Sequence, residues 1–137
     1  MKTKILLFLL AVFTTGQCFA SDFNDGTLNY TILSGTKNVQ VDGLINRSST
    51  TAITIPATVS NGGNTYNVTS IVKYAFYNCT GLTSVDLSQA TKLQTIGEDA
   101  FGGCTAATFI TTTGSPVAAV KYNALTSIGD YAFYKCT

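Results

Sequence analysis

Ala75-Phe76-Tyr77-Asn78-Cys79-Thr80, Ala100-Phe101-Gly102-Gly103-Cys104-Thr105 and Ala132-Phe133-Tyr134-Lys135-Cys136-Thr137 are three copies of one signature, A-F-x-x-C-T. An isoleucine stands four residues ahead of each alanine (Ile71, Ile96, Ile128), and an aliphatic residue stands seven ahead (Val68, Leu93, Leu125). The recurring unit is therefore a whole segment. Aligned on their cysteines, the copies are 25 and then 32 residues apart. Self-similarity at this period marks a solenoid, in which each unit buries its apolar face only by stacking on its neighbours.

The longer step places seven additional residues around Thr113 to Val120, where they loop out of a coil without breaking the stack. A 32-residue offset also relates Ile53-Thr54-Ile55-Pro56 to Val85-Asp86-Leu87-Ser88, so a degenerate opening coil precedes the first clear repeat. Its inserted residues, Ser60-Asn61-Gly62-Gly63-Asn64-Thr65-Tyr66, put a glycine pair between β-formers and predict a hairpin. Upstream, Thr27 to Leu33 and Val39 to Val41 alternate apolar and polar residues, punctuated by Asp25-Gly26, Ser34-Gly35 and Asp42-Gly43. This predicts a short β cap over residues 21–52, shielding the bare edge of an array at 53–137.

Within one repeat, a strand over Leu82 to Leu87 turns Val85 and Leu87 inward and Ser84 and Asp86 outward. Leu93 to Ile96 is a second extended run. Glu98 to Cys104, acidic at its start, is compatible with a helical turn. The expected fold is thus a β-rich repeat solenoid with short helical turns. Its core files comprise Ile71, Ala75, Phe76, Cys79, Leu82, Val85 and Leu87 from the first full repeat. The second supplies Leu93, Ile96, Ala100, Phe101 and Cys104, and the third Leu125, Ile128, Ala132, Phe133 and Cys136.

The N-terminus reads as an export signal over residues 1–20: Lys2 and Lys4, an apolar run from Ile5 to Phe13, and Cys18-Phe19-Ala20 for cleavage near Ala20. Nine apolar residues make about 14 Å of helix against a hydrocarbon core of about 30 Å, so no transmembrane span is expected. Gln17 fits poorly ahead of Cys18 as a lipid-attachment site. Beyond residue 20, six basic side chains (Lys37, Arg47, Lys73, Lys92, Lys121, Lys135) face seven acidic ones (Asp22, Asp25, Asp42, Asp86, Glu98, Asp99, Asp130). Neither sign clusters, which argues against a nucleic-acid partner.

Histidine is absent, removing the commonest general base and metal ligand. No catalytic residue, cofactor or metal site is expected. Adjacent Glu98 and Asp99 read as solvated turn residues, and Gly62-Gly63 lacks the lysine and helix of a phosphate cradle. Cys79, Cys104 and Cys136 share one repeat position and should form an internal column of inert thiols, although Cys79 and Cys104 are near enough in the stack for a disulfide to be considered. Tyr74, Tyr77, Tyr131 and Tyr134 flank the Ala-Phe pairs, either lying over their own coils or stacking on sugars or peptides. Asn29, Asn46, Asn67 and Asn78 match a glycosylation sequon of low specificity.

The pattern L-T-S-I-G-x-x-A-F-x-x-C-T-x-L-T-S-V-x-L/I resembles the bacterial surface leucine-rich repeat called BspA-like, or treponemal type. The likeness runs from Ile53 to Thr137. Two further segments, I-T-I-P-A-T-V and N-G-G-N-T-Y-N-V-T-S-I, resemble the lead-in of such proteins in the Bacteroidetes group. The resemblance implies a curved parallel β solenoid, secreted or held at the cell surface, without enzymatic activity, that binds host proteins or other cells. Two departures stand out. Ala107 and Thr112 replace Leu-like residues, predicting loose packing of that coil, and the third repeat stops at Thr137, before its strand. The expectation is an N-terminal fragment of a longer array; a partner or second copy covering the open end is the competing account.

For a ligand, alignment of the repeats proposes the outward row Ala52, Thr54, Ser84, Asp86, Phe109 and Thr111, with Phe109 as an exposed anchor. The leading functional expectation is a non-catalytic adhesion or protein-interaction repeat protein with a protein or cell-surface ligand. A structural segment of a larger envelope protein and a thiol-active redox protein are the alternatives.

Overall fold

The computed structural model describes residues 21–110 and 124–137, so the expected export signal over residues 1–20, Thr111, Thr112 and the expected insertion at Thr113 to Val120 lie outside the described residues. Ten strands follow one another: β1 (Phe23–Asn24), β2 (Leu28–Ile32), β3 (Asn38–Leu44), β4 (Ala52–Thr54), β5 (Thr58–Asn61), β6 (Asn64–Ile71), β7 (Ser84–Asp86), β8 (Thr95–Ile96), β9 (Thr108–Ile110) and β10 (Ser127–Ile128). They form two sheets. In the larger, the order is β1-β2-β3-β6-β8-β10, with β5 added antiparallel to β6; the smaller is β4-β7-β9.

From β3 onward the larger sheet runs parallel, and its register follows the repeat: Ile71 pairs with Ile96, and Ile96 with Ile128. β1 to β3 form an antiparallel meander that joins this edge through β3 and β6. The glycine pair makes its hairpin: Asn61 pairs with Asn64, and Gly62 and Gly63 both have positive φ (56° and 79°), as a type I′ turn requires. Asp42-Gly43 is no turn. Both residues lie inside β3, and Gly43 is needed there because a Cβ would collide with the carbonyl oxygen of Ala75.

The two sheets enclose one apolar cluster reaching from Leu28 and Tyr30 to Ala132. Its axis is a file of phenylalanines. Phe76 and Phe101 stack at 4.9 Å with 9° between their planes, and Phe101 and Phe133 stack at 5.5 Å and 8°. Ile71, Ala75, Leu82, Val85, Leu87, Leu93, Ile96, Ala100 and Ala132 are all buried around it. Ile128 is different. It is 50% exposed, because β10 pairs only with β8 and no described strand covers its other side.

No helix forms among the described residues, and the segment Glu98 to Cys104 shows why. Asp99 and Gly103 have φ of 49° and 76°; the equivalent residues Tyr74, Asn78, Tyr131 and Lys135 lie between 56° and 61°. An α-helix needs φ near −60° at every residue. What forms instead is an alternation. The amides of Ala100, Gly102 and Cys104 bond back three residues to Gly97, Asp99 and Phe101, while those of Asp99, Phe101 and Gly103 bond to the carbonyls of Asp130, Ala132 and Tyr134 in the next coil. Tyr74, Phe76 and Asn78 bond in the same way to Glu98, Ala100 and Gly102. The turns are thus laced together like strands of a parallel sheet.

At the first turn the carbonyls of Ala75 and Tyr77 have no preceding coil to supply such amides, and Arg47 supplies the protons. Its Nη2 donates to the Ala75 oxygen at 2.8 Å and its Nη1 to the Tyr77 oxygen at 2.9 Å. These two donors stand where the amides of one more coil would be. The planar fork of a guanidinium suits two oxygens in a row, as a single ammonium does not.

Two predictions follow from this close stacking. A Cβ at Gly97 would run into the backbone of Val72 and Lys73, whereas one at Gly81 meets open space. Gly97→Ala should therefore lower urea-unfolding stability by about 2 kcal/mol or more, and Gly81→Ala should change it by less than about 0.5 kcal/mol. Arg47→Met should cost about 2–4 kcal/mol, the loss of two charge-assisted bonds over two carbonyls, with Arg47→Lys intermediate in the same urea titration.

Candidate functional site

In the small sheet Ala52, Ser84 and Thr108 form one outward row, and Thr54, Asp86 and Ile110 form another. Between them run Ile53 and Val85, buried, and then Phe109. The alternation follows from the period of two in a strand. Asp25, Thr27 and Leu28 of the meander line a cleft of about 420 Å³ together with Ala52, Ile53, Thr54, Ser84, Asp86 and Ile110.

Four of the outward residues proposed from the sequence, Ala52, Thr54, Ser84 and Asp86, therefore share the cleft. Phe109 does not. It pairs with Val85, one residue out of the expected register, and its ring packs edge-on against Phe101 at 5.2 Å and Phe133 at 5.1 Å. A slip of one residue reverses every side chain in a strand, and burying a phenyl ring against two others outweighs exposing Ile110. Ile110 takes the outward place, 47% exposed, and gives the cleft its apolar spot. Ala107, in the position of Leu82, is buried. Thr111 lies outside the described residues.

Both carboxylates of the cleft are committed to local structure. Asp86 Oδ1 accepts from the Ser88 amide at 2.7 Å. Asp25 Oδ1 accepts from the amides of Thr27 and Leu28, and its Oδ2 from the Tyr30 hydroxyl at 2.7 Å. Burial first, and then the bond and charge of Asp25, push the Tyr30 hydroxyl far above its ordinary range, so it remains a fixed donor. The cleft offers hydroxyls, held carboxylates and one apolar side chain, a set suited to contact rather than to proton transfer. Elsewhere Glu98 turns to Lys73, 2.8 Å away on the surface, and makes no pair with Asp99.

The thiols stack inside the turn column and all three are free. Cys104 Sγ donates to the Phe76 carbonyl at 3.1 Å and Cys136 Sγ to that of Phe101 at 3.2 Å. The Arg47 guanidinium reaches Cys79 Sγ at 3.5 Å. Burial pushes all three up, Cys104 to about 12, the reverse of what a reactive thiolate needs. Among the described residues no group of three or more potential ligands gathers to hold a metal.

A group whose pKa is higher folded than unfolded favours the folded state while protonated in both. That contribution is lost as pH rises from the unfolded value of about 9 towards the folded value of about 12. Thermal stability should therefore fall between pH 9 and pH 11, and Cys104→Ala should show a shallower decline over the same interval when melting curves are compared.

A leucine-rich repeat protein from Bacteroides ovatus superposes with a TM-score of 0.63 at 26% identity, over 84% of this chain and 33% of that one. The T. pallidum leucine-rich repeat protein TpLRR gives 0.60 at 23% identity, over 82% of this chain and 45% of its own. A leucine-rich cell surface protein from Faecalibacterium prausnitzii gives 0.54 at 24% identity, over 82% and 34%. The chain thus spans between a third and less than half of these structures. No curated protein matches the sequence. The family model described as "BspA type Leucine rich repeat region" matches residues 46–137 in six copies. With its repeat architecture, parallel sheets and matched residues agreeing, the chain belongs to the BspA-type leucine-rich repeat family, whose fold is one of protein interaction.

Proposed function

We propose that this chain belongs to a secreted or surface-held, non-catalytic adhesion protein, and that it binds a protein ligand across the outer face of β4, β7 and β9. The observation that carries this is the cleft itself: Ala52, Thr54, Ser84, Asp86 and Ile110 from three coils line it together with Asp25 and Thr27. Such a surface has one exposed apolar anchor in a field of hydroxyls, and its carboxylates already have partners. The antiparallel meander acts as the cap that shields the first coil, with Arg47 closing the turn column.

Surface location rests on the export-signal reading of residues 1–20 and on the similar Faecalibacterium prausnitzii structure, itself described as a cell surface protein. No helix among the described residues is long and apolar enough to cross a membrane. The coverage of only 33–45% of the similar chains favours the companion reading, in which this segment works within a larger envelope protein.

The chain should capture at least one purified extracellular-matrix or plasma protein in a surface-plasmon-resonance panel. The double variant Thr54→Arg/Ser84→Arg should lose that binding by about tenfold or more while its melting temperature holds. Equal binding by the double variant would move the interface away from this face.

A further inference from the structure

The turn column carries a second concave site on its outside. Its rows follow the repeat: Tyr74, Asp99 and Tyr131 occupy one position, Tyr77, Gly102 and Tyr134 the next, and Asn78, Gly103 and Lys135 the third. The first and third coils thus present tyrosines where the second presents Asp99 and a glycine pair. A cleft of about 400 Å³ opens there, lined by Tyr77, Asn78, Asp99, Gly103, Tyr131, Tyr134 and Lys135.

The cleft is kept open by glycine. A Cβ on Gly102 would press on Asp99 Oδ1 and lie 3.3 Å from Cδ2 of Tyr77, so both side chains reach over this residue. One on Gly103 would lie 3.2 Å from Asn78 Oδ1. Parallel coils lie about 4.8 Å apart, so the backbones of Tyr77 and Tyr134 stand about 9.6 Å apart along the stack, with that of Gly102 between them.

We infer that this cleft binds a neutral sugar ring of a glycan, with Tyr77, Tyr131 and Tyr134 as its apolar walls and Asp99 and Asn78 as its hydroxyl partners. The tyrosines are 48%, 66% and 52% exposed, too much for side chains whose only task is to cover their own coils. Tyr131 and Tyr134 brace each other edge to face at 5.7 Å, so the wall is pre-organised. Among the described residues the Asp99 carboxylate and the Asn78 side chain make no hydrogen bond, leaving acceptors and donors for hydroxyls.

Charge decides between a sugar and the other guest of aromatic clefts, a quaternary ammonium. Lys135 Nζ stands 5.3 Å from the Tyr134 ring centre, so the site already holds a cation of its own against that ring. A second cation would meet repulsion there, and an anion would meet Asp99. A neutral polyol meets neither. The expected ligand donates hydroxyl protons to Asp99, accepts from Asn78 and Lys135, and lays its C–H face on tyrosine.

The sequence has no tryptophan, so intrinsic fluorescence comes from its seven tyrosines, three of which line this cleft. The full chain should be titrated with maltotriose, cellotriose, chitotriose, mannotriose and, separately, choline chloride. At least one oligosaccharide should give a saturable change with Kd in the range of about 0.1–10 mM. Tyr134→Ala and Asp99→Asn should each weaken it about tenfold or more, whereas Gln89→Ala, exposed and away from the cleft, should stay within about twofold. Circular dichroism spectra and melting temperatures of the variants establish that the fold is kept. No saturable response to any of the four sugars, an unchanged response in Tyr134→Ala, or tighter binding of choline than of sugar would each overturn the assignment.

Discussion

The constraint on which the structure depends is the alternation of amides in the A-F-x-x-C turn. Each turn must bond within itself and also to its neighbour, and right-handed helical backbone cannot do both. The positive φ values at two positions per turn point every second amide along the stack. That costs strain at Tyr74, Tyr131 and Lys135, side chains seldom found in the left-handed region. The returns are three coil-to-coil bonds per turn, reaching down to 2.7 Å, and a fixed spacing that brings the phenylalanines into contact. Helical turns would leave the coils joined only by their short strands.

From that spacing the interior follows. Phenylalanine is planar, and its stacked neighbours repeat at 4.9 and 5.5 Å, close to the separation of parallel strands. Alanine beside it admits the next turn, since a larger side chain would push the coils apart. Glycine at 97 and 129 serves the same end on the far side of the turn, where the preceding backbone lies against the Cα. Cysteine fits its column because its Sγ can donate to the carbonyl of the phenylalanine one coil earlier, a second bond to an acceptor that already takes a backbone amide, without adding volume.

These files were legible in the sequence because a solenoid writes spatial translation as repetition along the chain. Ile71, Ile96 and Ile128 pair in register for that reason. Other features had no such signal. The acidic start and small residues of Glu98 to Cys104 suit a helical turn as well as a laced one, and only the partner coil decides between them. Phe109 fell out of alignment because one residue fewer separates it from Cys104 than separates Val85 from Cys79, a difference concealed within a three-residue strand. Arg47 lies outside the repeat and bonds across 28 and 30 residues. Its single hint was that it is the chain's only arginine.

The same rules explain where variation is allowed. Inside, each file accepts one kind of side chain, since a change of volume in one coil is felt by both neighbours. Outside, the equivalent positions are free: Tyr77, Gly102 and Tyr134 share a backbone place and nothing else. Recognition must therefore be written in the differences between coils, because identical coils would offer a uniform ribbon with no place to seat a ligand. The two clefts are both departures of this kind. One is lined by the meander as well as by the small sheet, and in the other the second coil has glycine where its neighbours have rings. In each case the repeat supplies the scaffold, and a departure from it makes the concavity.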